Sequence, residues 1–315
     1  MKSHTKKFNS LVAMLLFFAL ALSCSREDEF QPTAFKNINE FLEQNDIKEQ
    51  SFKINPNQTN TINTESGTKL NIPSGTLVDA SGNPITSEIE IKLLEAIDRE
   101  DVILSGMPTT SNGELLVSGG EFDIDLGEDV KVGENGQLTM EVPISDTTVM
   151  AGMQLYVEGV DSFGNFTWIP VAGGISTTNN SYIVTLPSGF SGGGINIDKP
   201  IRMPLTPYVS VKPDTSLLPV IQPNQDTLIK TYITLKNFNS VDYPKFDEIR
   251  QSFVSYAIPA NQEAMAIMMY YQENKLFYGK QSFVGDSTKG TSLIVRLKEI
   301  NPLSLKDSLE NLWVK

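Results

Sequence analysis

Cysteine and histidine are almost missing from this chain of 315 residues: each occurs once, as Cys24 and His4. One cysteine cannot form a disulfide within the chain. One histidine at the extreme N-terminus leaves no base for Ser-His-Asp or Cys-His catalysis, and no histidine or thiolate set for zinc. Basic residues are also short, 25 Lys and Arg against 38 Asp and Glu. Such an acidic chain repels nucleic acid and anionic headgroups, so no nucleic-acid partner is expected. A long apolar run is missing too. Leu11 to Leu22 falls short of the ~20 residues that cross a bilayer.

What is present begins with an address. Lys2, Lys6 and Lys7 precede that apolar run, and Ser23-Cys24 follows it, the layout of a secretory signal peptide over residues 1–23. Leu20-Ala21-Leu22-Ser23-Cys24 resembles the lipobox of bacterial lipoproteins. That resemblance implies cleavage before Cys24, lipidation of its thiol and a lipid bilayer as partner. Each buried methylene adds ~0.8 kcal/mol, so two or more acyl chains hold firmly. Loss of Lys2, Lys6 and Lys7 would leave 22 basic against 38 acidic residues, a charge of −16.

Residues 24–50 read as an acidic tether opening Ser25-Arg26-Glu27-Asp28-Glu29, with helical spacing at Phe35, Ile38, Phe41 and Leu42. Acids directly after the cysteine resemble the surface-export signal of Bacteroidota lipoproteins, which implies the outer face of the outer membrane; the alternative is a linker facing the periplasm.

Residues 51–198 show period-two alternation. Ile89, Ile91 and Leu93 alternate with charged residues, as do Phe122, Ile124 and Leu126. Short strands with one wet face between turns predict an antiparallel β-sandwich. Six prolines between Pro200 and Pro223 predict a linker over 199–227. Residues 228–315 read as a smaller mixed β domain. Ala264 to Tyr271 is apolar throughout, as in a strand buried on both faces. Phe246, Ile249 and Phe253 have helical spacing after Pro244, and Ser304 with Asp307 resembles a capping box before a terminal helix. The fold class is mainly β: a sandwich, then an α+β domain.

Gly67-Thr68-Lys69-Leu70-Asn71-Ile72-Pro73, Met107-Pro108-Thr109-Thr110, Ser118-Gly119-Gly120 and Gly152-Met153-Gln154-Leu155-Tyr156, in that order, resemble a module of Bacteroidota cell-surface lipoproteins. The opening segment is faintly similar to ZU5 domains. The resemblance implies a β-sandwich and an envelope location; the self-cleavage of some ZU5 domains needs a histidine that the mature chain lacks.

Several patterns invite a catalytic reading. Gly189-Phe190-Ser191-Gly192-Gly193 has the nucleophile-elbow spacing, but no histidine base accompanies it. Ser66 and Lys69 have acyltransferase spacing, yet strand alternation points them apart. Glu121, Asp123 and Asp125 share a strand face, and paired acids hydrolyse glycosides when ~5–9 Å apart. Asp79 to Asn83 and the acids near Asp125 are oxygen-rich, but neither follows the calcium-loop pattern, so no metal and no cofactor is expected. Tyr156, Phe163, Phe166 and Trp168 are candidate ligand-binding aromatics, since ring faces stack on sugars. Thr147, Thr227, Ser287 and Ser308 each follow an Asp in a stretch resembling the Bacteroidota O-glycosylation sequon. The leading expectation is a non-catalytic binding or scaffolding lipoprotein for glycan or an envelope protein. The alternatives are a carboxylate-dependent glycoside hydrolase and a structural assembly subunit.

Overall fold

The computed structural model describes residues 37–44, 47–144, 151–162, 166–178, 180–214 and 229–313. The alternating stretches form two facing sheets, as the sequence predicts. The larger runs Gln50–Ile54, Ile89–Ala96, Glu114–Asp125, Gly193–Pro200, Gln154–Val160 and Phe166–Val171, with Thr110–Ser111 paired to the long third strand. The smaller runs Ile175–Thr177, Ser181–Thr185, Thr139–Pro143, Lys69–Ile72 and Asn60–Asn63. Neighbours in both are antiparallel. The register sets Leu93 against Ile124, so both side chains enter one core with Leu70, Met140 and Ile195.

A second pair of sheets follows. Val241–Asp242, Ile229–Leu235, Glu263–Gln272, Lys275–Val284 and Lys298–Ile300 form one. Lys245–Asp247, Ser252–Ser255, Val209–Pro213 and Thr291–Val295 form the other, whose last two strands are parallel. Val211, Ile233, Met268 and Val295 fill the space between them. Met265, Ile267, Met269 and Tyr271 face the opposite way, so Ala264 to Tyr271 is buried on both faces, as its composition predicts.

Three short helices cover that opposite face: α1 (Ile38–Gln44), α2 (Arg99–Ser105) and α3 (Leu305–Glu310). The first arises from the expected tether and the second interrupts the first pair of sheets. Phe35–Lys315 accordingly forms one compact unit. A seven-residue helix is not stable alone in water, so α1 exists because Ile38 and Phe41 are fully buried. Asn37 caps it by accepting the Glu40 N–H at 3.0 Å.

Four expectations need correction. The tether does not extend to residue 50, because α1 is docked and Gln50 begins a strand. The linker at 199–227 is interrupted by Val209–Pro213, an interior strand, because no proline falls within residues 208–212. The segment after Pro244 is not helical: Phe246 lies opposite Phe253 in a hairpin, their rings 5.4 Å apart, while Ile249 is 94% exposed at the turn. Asp247 closes that turn by accepting the Arg250 backbone N–H and guanidinium, both at 2.8 Å. The Ser304 side chain caps nothing; Asn301 accepts the Leu303 N–H instead.

Candidate functional site

The strand Val241–Asp242 follows Ile229–Leu235 for only two pairs, Ile233 with Asp242 and Thr234 with Val241. Pro244 has no N–H to continue the ladder, so the chain swings away and joins the other sheet as Lys245–Asp247. A cavity of about 760 Å³ lies in this fork, closed on its third side by α1 and α2 through Leu42 and Leu104. Sites for small molecules span ~300–1,000 Å³.

Two aromatic pairs line it. Tyr232 and Tyr243 meet edge to face at 4.8 Å, and Phe246 meets Phe253 at 5.4 Å. The Tyr243 hydroxyl donates to the Val102 carbonyl at 2.8 Å, which locks that ring against α2. Burial pushes the Tyr232 phenol well above its ordinary pKa, so it stays neutral. Thr231 also lines the cavity; it is 5% exposed and its hydroxyl has no hydrogen-bond partner. Glu43, Lys245 and Glu248 bring charge to the same space.

The aromatics expected to bind ligand do not form an exposed row. Trp168 is fully buried with its indole N–H donating to Pro108 at 2.8 Å, and Tyr156 is buried beside it with Leu116. The reason is the segment just before the long strand: Met107 packs on this cluster, and Ser111 donates its hydroxyl to the Trp168 carbonyl at 2.7 Å. Ser118 donates its N–H to Asn239, and Ser240 donates its hydroxyl to Leu116, so residues 239–241 run along that strand. Phe166 is 43% exposed and rests edge-on against Trp168 at 5.2 Å. Phe163 lies outside the described residues, as do Cys24, Thr147 and Thr227. Ser287 is exposed; Ser308 is half-buried and donates to Ser304 at 2.7 Å.

The acid cluster is split by burial. Asp123 and Asp125 face water, but Glu121 is fully buried beside Asp198. The Asn196 amide bridges the two carboxyls, donating at 3.0 Å to Glu121 and 2.7 Å to Asp198. Glu121 Oε2 and Asp198 Oδ1 receive no hydrogen bond. Burial, then for Glu121 the charge of Asp198, pushes both pKa values well up. This pair sits in the packed interior rather than in a cleft. Sequence reasoning missed Asp198 because Asn196 and Asp198 alternate with Ile195 and Ile197, which reads as a wet strand face.

The remaining motifs serve the fold. Ser66 donates to Glu95 at 2.6 Å while Lys69 pairs with Glu141 at 3.4 Å, so the two do not meet. Ser191 precedes the strand Gly193–Pro200 with no helix behind it. Asp79 accepts the Asn83 backbone and side-chain N–H groups at 2.8 and 3.0 Å, which is turn chemistry and lowers its pKa. Among the described residues no group of three or more His, Cys, Asp or Glu is placed to hold a metal ion. Among them, too, no helix is long and apolar enough to cross a membrane.

The fold defines a mainly β protein of stacked, mostly antiparallel sheets with a few covering helices. No family model, curated protein or solved structure matches the chain.

Proposed function

We propose that this chain is a lipid-anchored bacterial envelope protein whose folded body binds a ligand in the forked cavity without converting it. The anchor rests on the resemblance of Leu20 to Cys24 to a lipobox, and the acids after Cys24 support the outer face of the outer membrane. The observation that carries the binding reading is the cavity itself, a half-open space of about 760 Å³ lined by two aromatic pairs. Apolar walls with a few polar groups are the usual make-up of ligand sites. A second reading is glycoside hydrolysis, which needs two carboxyls ~5–9 Å apart across the scissile bond; Glu43 and Glu248 are the two that line the cavity.

Two measurements test this. Labelled palmitate should enter the wild-type chain and not Cys24→Ser; equal labelling of both removes the anchor. A ligand screen by thermal melting should give hits that stabilise the protein by about 2.7 kcal/mol at a hundredfold excess over Kd. Asn39→Trp, which puts an indole at the cavity, should abolish that stabilisation. Hits that act equally on both forms would place binding elsewhere, and hits that are cleaved would favour the hydrolase.

A further inference from the structure

The sheet that holds Val209–Pro213 and Thr291–Val295 gives Val209, Val211 and Val295 to the core. By strand alternation Ser210, Lys212, Ser292 and Ile294 belong to its other face. They line a half-open groove of about 370 Å³ together with Tyr208 and Arg250. No carboxylate is among its described walls, although the chain has 38 acidic against 25 basic residues.

Arg250 is held in place from three directions. Its Nη1 donates to Asp247 at 2.8 Å and reaches the Tyr256 hydroxyl at 3.5 Å, and its guanidinium carbon lies 5.0 Å from the centre of the Tyr208 ring. That ring packs closely on Gly290, where a Cβ would fall 2.1 Å from it. In a guanidinium the Nε and Nη2 N–H groups point the same way, and this edge takes a carboxylate through two parallel hydrogen bonds. Among the described residues neither group finds an acceptor, and neither do the Lys212 ammonium and the Ser292 hydroxyl.

Charge chooses among anions. Arg250 and Lys212 bring two positive charges and Asp247 returns one negative charge, which leaves one positive charge to be answered. A carboxylate answers it singly, whereas a phosphate monoester exceeds it at neutral pH. The rim is apolar. Ile294 on the groove, and Ile249 and Tyr256 beside Arg250, are each more than half exposed. Exposed apolar side chains gathered in one place mark an interaction surface.

We propose that this groove docks a partner polypeptide through one carboxylate, which sits on the Nε–Nη2 edge of Arg250 and is answered by Lys212, while an apolar neighbour of the acidic residue rests against Ile294. The site does not depend on a ligand in the forked cavity. A uronate sugar carries the same carboxylate, but its ring stacks on an open aromatic face, and the one ring that lines the groove, Tyr208, already carries Arg250.

The test is selection of phage-displayed heptapeptides on the full acylated chain in neutral detergent, followed by titration of the enriched sequences as amidated synthetic peptides. Enriched sequences should carry Asp or Glu beside an apolar residue. Changing that acid to its amide should weaken binding roughly tenfold or more. Arg250→Lys, which keeps the charge and removes the paired donors, should also weaken it roughly tenfold, and Lys212→Met, which keeps the stem, roughly threefold. Melting curves of both variants establish that they fold, and the exposed Lys212 leaves the core untouched by its replacement.

Selection that enriches nothing, or enriches sequences without acids, overturns the proposal. So does an amide peptide that binds as tightly as the acid, or a pair of variants that bind like wild type. An oligogalacturonate that binds more tightly than every enriched peptide, and weakens in the same variants, overturns the polypeptide assignment in favour of an acidic glycan. Peptides blocked by Asn39→Trp but indifferent to Lys212→Met would belong to the forked cavity, and the groove would be misassigned.

Discussion

Replacing Phe41 by alanine should destabilise the folded body by about 3–5 kcal/mol, the usual loss for emptying a buried phenylalanine site. Phe41 is fully buried and its ring stacks on Tyr271 at 5.7 Å with a 19° tilt. The helix around it has only seven residues and depends on this contact, since so short a helix cannot nucleate alone. Urea unfolding should show the loss, and amide exchange should rise over residues 38–44. The proposed anchor at Cys24 lies only 13 residues before Ile38. A loss below about 1 kcal/mol, the scale of a surface change, would mean that α1 is decoration rather than a clamp.

The second large effect is a fall in stability as pH rises. Asp242 is buried, with Ser255 donating to it, and burial pushes its pKa up to about 6. Glu121 and Asp198 are pushed well up by burial and, for Glu121, by its neighbour's charge. An unfolded carboxyl loses its proton near pH 4. Above that value the folded chain therefore holds more protons than the unfolded one, and stability declines with rising pH until the folded groups ionise. The contribution is complete below about pH 4 and is lost as pH passes through each folded value. For Asp242 the interval from about 4 to about 6 corresponds to about 3 kcal/mol. Asp242→Asn should flatten that part of the curve. Glu121→Gln with Asp198→Asn should also flatten the decline and leave the variant more stable than wild type in alkali. A wild-type curve that rises from pH 5 to 8 would show that these carboxyls find partners when ionised.

The strands that alternate against water were legible because their pattern is local. Ile89, Ile91 and Leu93 announce one buried face, and Ala264 to Tyr271 announces two. What could not be read were faces closed by distant chain. Tyr156, Trp168, Glu121 and Asp198 lie on the outer face of the large sheet, where period two predicts water. Met107, Pro108 and Ser111 close over Trp168, and nothing near Trp168 in sequence encodes them. The spacing of Phe246, Ile249 and Phe253 fits a helix and a hairpin equally, since a turn between Phe246 and Phe253 restores the same side. Only the pairing of the two rings decides it. The cavity was invisible for the same reason. Its residues come from α1, α2 and two sheets, and the one local hint is Pro244, which ends a ladder and opens the fork.

The reading of this chain as an anchored binder depends on where a ligand settles. Hydrogen exchange on the full chain, with and without the tightest ligand from the screen, locates it directly. Protection should appear over residues 229–232 and 243–246 and at the C-terminal end of α1. Protection confined to residues 171–176, in the first pair of sheets, with the fork unchanged, would contradict the account.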